Sequence, residues 1–140
     1  MAAIRPGTRV LIVEDQAVIA LAIEDSLNAA GYICNTAYNS STAIRLARLH
    51  RPDAIVMDVG IGDEIDGIGI ALILRANGIA SPVIFVTAYN DAQTMARIHE
   101  IERSCLLAKP IMPGQLEAAL AHAVTSACES GLCRPTSCDD

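Results

Sequence analysis

The chain has 140 residues, enough for one domain that buries a core without disulfide staples. Hydrophobic residues make up 52% and charged residues 19%, which excludes a disordered chain; with aromatics at 3%, the core must come from Ile, Leu, Val and Ala. Ten basic residues against sixteen acidic give a net charge of −6, with no dense Lys/Arg run, so no DNA partner is expected.

Short aliphatic runs alternate with amphipathic stretches. Thr8 to Val13 predicts a first strand and Gln16 to Ala30 a first helix, stopped by Gly31. In that helix Ile19, Ile23 and Leu27 form the stripe expected to face the core, leaving Val18 and Leu21 partly off it as an apolar patch for a docking partner. Tyr32 to Ala37 is a second strand, and Ser40 to His50 a second helix capped by Ser40 or Ser41. Ala54 to Asp58 is the third strand. A Gly-rich loop from Gly60 to Gly67 follows, its Gly60 and Gly62 suggesting mobility until a ligand orders it. A third helix runs from about Ile68 to Ala76. Pro82 opens a fourth strand that ends at Thr87. A fourth helix spans Asp91 to Ile101, with Asn90 or Asp91 as its cap. Ser104 to Ala108 is the fifth strand. Pro113 begins a last helix, to about Cys128, Ala-rich enough to support a weak homodimer or an output interface.

Five strands, each followed by a helix through short connections, predict an α/β fold of the doubly wound (βα)5 type with a parallel sheet. Residues 1–127 form that domain. Residues 128–140 form a Cys/Ser/Pro-rich tail, expected to be mobile, whose Cys128, Cys133 and Cys138 match no metal spacing. Cys34 and Cys105 read as small core residues, and an odd cysteine count argues against a disulfide framework. Every apolar run is broken by a charge or a proline before it reaches bilayer length, and the N-terminus lacks a secretory pattern, so no membrane contact and a cytoplasmic location are expected.

Ligands of an open parallel sheet bind beyond the carboxyl ends of its strands. Those ends carry Glu14-Asp15, Asp58, Thr87 and Lys109-Pro110. An acid at a strand end is usually a cap, a Thr is usually β-propensity and a Lys is usually surface charge. All four ends carrying reactive groups together make a motif. Three close carboxylates repel one another, and oxygen-only ligands favour Mg²⁺, or Mn²⁺, as the cation that relieves this. Asp15 and Asp58 are the expected direct ligands, with Glu14 acting through water and Gly60 offering its backbone carbonyl. Asp58 is the expected nucleophile toward a phosphoryl group, with Lys109 and Thr87 contacting its oxygens.

The set Glu14-Asp15, Asp58, Thr87 and Lys109-Pro110 resembles the CheY-like receiver domain of two-component response regulators, over roughly Thr8 to Ala127. The resemblance implies the flavodoxin-like strand order 2-1-3-4-5, a cis peptide before Pro110, Mg²⁺ dependence, and phosphotransfer from a histidine kinase or phosphotransfer protein. Pro82-Val83-Ile84-Phe85-Val86-Thr87-Ala88-Tyr89 is similar to the FAT-GUY receiver signature, which implies partners of the HWE kinase type. Two departures stand out. Leu106 occupies the position of the usual aromatic switch partner of the Thr, and Tyr89 is a candidate to replace it.

No output domain fits in the tail. A single-domain regulator is therefore expected, monomeric or weakly dimeric, signalling by binding a downstream protein or by acting as a phosphate sink. It would assist its own phosphorylation and dephosphorylation and not be an enzyme with an external product. Three alternatives compete. A phosphatase of the haloacid-dehalogenase type needs a second Asp where this chain has Gly60. A flavodoxin-like carrier needs a Ser/Thr/Gly loop where it has Glu14-Asp15-Gln16. The third is a binding module that is never phosphorylated.

Overall fold

The computed structural model describes residues 7–62, 64–88, 91–112 and 114–130, with backbone only for 126–130. Strands β1 (Arg9–Val13), β2 (Ile33–Ala37), β3 (Ala54–Asp58), β4 (Val83–Thr87) and β5 (Ser104–Ala108) alternate with helices α1 (Ala17–Ala29), α2 (Ser40–His50), α3 (Gly67–Ala76), α4 (Ala92–His99) and α5 (Gln115–Ser130). All pairings are parallel and the order is β2-β1-β3-β4-β5, the order that the resemblance implied. The strand order reverses its direction between β1 and β3, the point beyond whose strand ends such sheets bind ligands.

The buried residues of β3 and β4 form near-continuous apolar runs, as expected for strands covered on both faces. Alternation along each strand divides the core into two layers. Leu11, Ile55, Met57 and Phe85 pack with Ala43 and Ala47 of α2 and with Ile70 and Leu74 of α3. Val10, Ile12, Val56 and Ile84 pack with Leu27 of α1 and with Leu116 and Leu120 of α5. The small side chains of α2 let it lie close to the sheet, and aliphatic side chains fill most of both layers, with Phe85 in one and Tyr32 in the other.

Helix ends follow their local chemistry, with adjustments to the sequence expectations. Asn39 caps α2, accepting the Thr42 N–H at 2.9 Å, in place of Ser40 or Ser41. Asn39 keeps the extended backbone that a cap needs, which places its side-chain oxygen over the first turn, whereas Ser40 and Ser41 already belong to the helix. Asp91 caps α4 through the Thr94 N–H at 2.8 Å. Gly31 and Gly78 take the left-handed conformation expected where α1 and α3 stop. On α1, Ala20 and Leu27 are buried and Ile19 and Ile23 are half-buried, while Val18 is 82% and Leu21 56% exposed. The backbone of α5 runs to Ser130, past the expected start of the tail. Pro113, Tyr89 and Asn90, and the side chains of Cys128, Cys133 and Cys138, lie outside the described residues. Cys105 is buried, as a small core residue should be, but it is disulfide-bonded, against the expectation drawn from the odd cysteine count; the spacing of cysteines does not reveal which of them a fold brings together. Cys34 is a free thiol.

Candidate functional site at the carboxyl edge of the sheet

Glu14 and Asp15 directly follow β1, Asp58 ends β3, Thr87 ends β4 and Lys109 follows β5. With β3 lying between β1 and β4, the acids of β1 and β3 meet at one point. Carboxylate oxygens of Glu14, Asp15 and Asp58 all lie within 4.8 Å of one another. Glu14 and Asp58 are buried and Asp15 is exposed.

The Lys109 ammonium stands 3.8 Å from Asp58 Oδ2 and 3.9 Å from Glu14 Oε1. Both separations exceed hydrogen-bond length, so the amine acts here as a point charge between two acids. It is aimed by the backbone. The Lys109–Pro110 peptide is cis, and the Lys109 N–H donates to the Thr87 carbonyl at 2.9 Å. Thr87 itself is fully buried.

Burial pushes the Glu14 carboxyl up to about 7, the charge of Asp58 adds to the rise, and the Gln16 N–H and Lys109 oppose it. One ammonium thus does not neutralise the acids. A partly buried, oxygen-only donor set with surplus negative charge fits a hard divalent cation such as Mg²⁺. Asp15 and Asp58 would hold it, with Glu14 behind them. Gly60 stays beside the phosphoacceptor candidate because its N–H donates to Asp58 Oδ1 at 3.2 Å.

The described residues of the loop after β3 are anchored to the core and to Asp15. Val59 and Ile61 are buried, the Gly62 N–H donates to Asp15 Oδ2 at 2.8 Å, and the Gly67 N–H donates to the Val59 carbonyl at 2.9 Å. Two apolar anchors and two hydrogen bonds offset part of the backbone freedom of Gly60 and Gly62. Gly67 is required for a different reason: a Cβ there would sit 2.3 Å from the Asp58 carbonyl oxygen.

Sequence reasoning missed two side chains at this edge. Asp66 accepts the Gly69 N–H at 2.9 Å as the cap of α3. It also takes a forked pair from Arg97 of α4, at 2.9 and 3.2 Å. The Asp-Gly pair before an apolar helix signals the cap, but no sequence pattern announces the fork. Leu106 pairs in register with Phe85 and packs, partly buried, on the layer containing α2 and α3, so no aromatic stands at that position.

The fold and this edge define a class: a doubly wound α/β domain with an acidic pocket at its strand ends. Within it, the chain belongs to the response regulator receiver domain family, whose model matches residues 10–121. It is thus a receiver domain of two-component signalling. It is 34% identical over 118 residues to the transcriptional regulatory protein PdtaR of Mycobacterium tuberculosis, covering 84% of this chain and 57% of that protein. The chain therefore spans little more than half the length of that relative. The receiver domain of the sensor histidine kinase PA1611 from Pseudomonas aeruginosa, solved with a magnesium ion coordinated in its active-site cleft, superposes with a TM-score of 0.75 at 30% identity, covering 85% of this chain and 98% of that one. A Francisella response regulator receiver domain shares the fold, with a TM-score of 0.78 at 24% identity over 86% of this chain and 99% of that one. Among the described residues, no helix is long and apolar enough to cross a membrane.

Proposed function

We propose that Asp58 is the phosphoacceptor of this receiver, loaded by a histidine kinase or phosphotransfer protein in the presence of Mg²⁺. The observation that carries the reading is the cluster of Glu14, Asp15 and Asp58 with Lys109 standing 3.8 Å from Asp58. When bound, the cation would neutralise charge on the phosphoryl oxygens. An Asp58 carboxylate oxygen forms the new P–O bond as the P–N bond to the donor histidine breaks, its electron pair returning to the imidazole. Lys109 stabilises the negative charge on the phosphoryl oxygens. The buried Thr87 hydroxyl is the donor on the β4 side. The domain assists transfer and later hydrolysis of its own acyl phosphate, without a separate product of its own.

The donor has a place to dock. A groove of about 550 Å³ beside the acids is lined by Val18, Ile19 and Ile23 of α1 and by Lys109, Pro110 and Ile111. It joins an apolar helix face to the reactive edge, which suits a helix bundle presenting a phosphohistidine. The β4 segment from Pro82 supports the FAT-GUY subgroup and an HWE-type kinase. Output is by binding a downstream protein, or by draining phosphate from a shared kinase.

The test is intact mass after incubation with acetyl phosphate, with Mg²⁺ or with chelator, for wild type and Asp58→Asn. The expected result is one phosphoryl group, metal-dependent and lost in the variant. If wild type gains none from acetyl phosphate or from a phosphorylated HWE-type kinase, the proposal fails.

A further inference from the structure

We propose that the outer face of α2 is a second docking surface, built for an acidic protein segment that carries an aliphatic anchor. The chain is acidic overall, yet three of its ten Lys and Arg residues fall within seven positions, as Arg45, Arg48 and Arg51. At 100° per residue these three share one side of the helix and its end with Ser41 and Ile44. Together they line an open depression of about 650 Å³. Leu49 stands 66% exposed at its margin.

All three guanidinium groups are exposed, and none has a hydrogen-bond or ion-pair partner among the described residues. Arg75 and Arg97 show the contrast, since both are engaged in the fold, on backbone carbonyls and on Asp66. The nearest acid along the chain, Asp53, accepts the backbone N–H of Arg9 at 2.9 Å. Cations near the C-terminus of a helix complement its dipole, which accounts for Arg48 and Arg51. It accounts neither for Arg45 in the middle of the helix nor for an exposed Leu between the charges.

The chemistry selects the occupant. Planar forks without partners match carboxylates in a bidentate geometry. Leu49 and Ile44 add apolar area that a purely ionic ligand would leave wet. Nucleic acid fits poorly: no aromatic lines the depression, and a long polyanion would meet the net charge of −6 beyond the patch. A lipid surface also fits poorly, because Leu49 is the one strongly exposed apolar side chain on α2. The site is separate from the donor groove, since α2 covers one layer of the core and α1 the other.

The experiment is fluorescence anisotropy of the full chain with a labelled synthetic peptide carrying Glu and Leu at helical spacing, and with its Gln-for-Glu twin. A short single-stranded RNA and vesicles of phosphatidylserine and phosphatidylcholine serve as competing probes. The Glu peptide is expected to bind at least about tenfold more tightly than its twin, and more weakly at high salt. Arg45→Ala/Arg48→Ala should weaken it by about tenfold or more, Arg45→Lys/Arg48→Lys by less, and Leu49→Ser severalfold. Circular dichroism and acetyl-phosphate labelling confirm that each variant is folded and reactive. Absent binding, equal binding of the two peptides, preference for RNA or vesicles, or indifference to the double Ala variant would each overturn the proposal.

Discussion

Gly67 and Glu14 show how single residues constrain the reactive edge. A methyl at Gly67 would press against the Asp58 carbonyl and the Met57 side chain, so β3 and α3 would have to part. Gly67→Ala should cost about 1–3 kcal/mol, the usual range for overpacking, read as a lower urea midpoint at unchanged slope. Glu14 makes a pH prediction. Its folded-state value of about 7 lies above the unfolded 4.5, so the folded chain binds the proton more tightly. The contribution of Glu14 to stability without metal is then fully present below the unfolded value and is lost as pH rises through that window. Urea titrations in chelator should show that fall, and Glu14→Gln should remove most of it. The strand-end residues were legible in the sequence because each closes an aliphatic run. The obligatory Gly67 was not, because its reason is a backbone 9 positions away.

Among the elements, α3 and α4 are joined by one carboxylate. Burial alone would raise the Asp66 carboxyl, but the Arg97 fork and the Gly69 N–H overcome it and hold the group below the usual range. The pair is partly exposed, so Arg97→Ala should cost only about 0.2–1 kcal/mol. Asp66→Ala loses the cap as well and should cost about 1 kcal/mol more. Thermal denaturation of both singles and the double variant would show whether the fork couples the helices; additive losses would mean that it does not. Periodicity located all ten elements to within a few residues. It could not show that residues 66 and 97 meet, because that pairing depends on where two helices land on a finished sheet.

For the whole molecule, the two faces of the sheet carry the two proposed docking surfaces. The candidate site sits at the strand ends, while the exposed Val18 and Leu21 belong to α1 on one face. Val18→Ser/Leu21→Ser should therefore leave acetyl-phosphate labelling unchanged and slow transfer from a phosphorylated kinase by about tenfold or more, since interface anchors contribute on the order of 2 kcal/mol. Equal rates from the kinase would remove α1 from the docking surface. The fold class was readable from the alternation of strands and helices, and the strand order from the family resemblance. The bonded state of Cys105 was not readable, since it depends on tertiary placement.

The strand order also sets a chronology. Residues up to Asp58 supply β2, β1 and β3, which are neighbours in the sheet, and with them all three acids. Thr87, at the end of β4, and Lys109, just after β5, come later in the chain. The chain thus carries its whole acidic cluster in its first half, and the ammonium that faces Asp58 and Glu14 comes from near the other end.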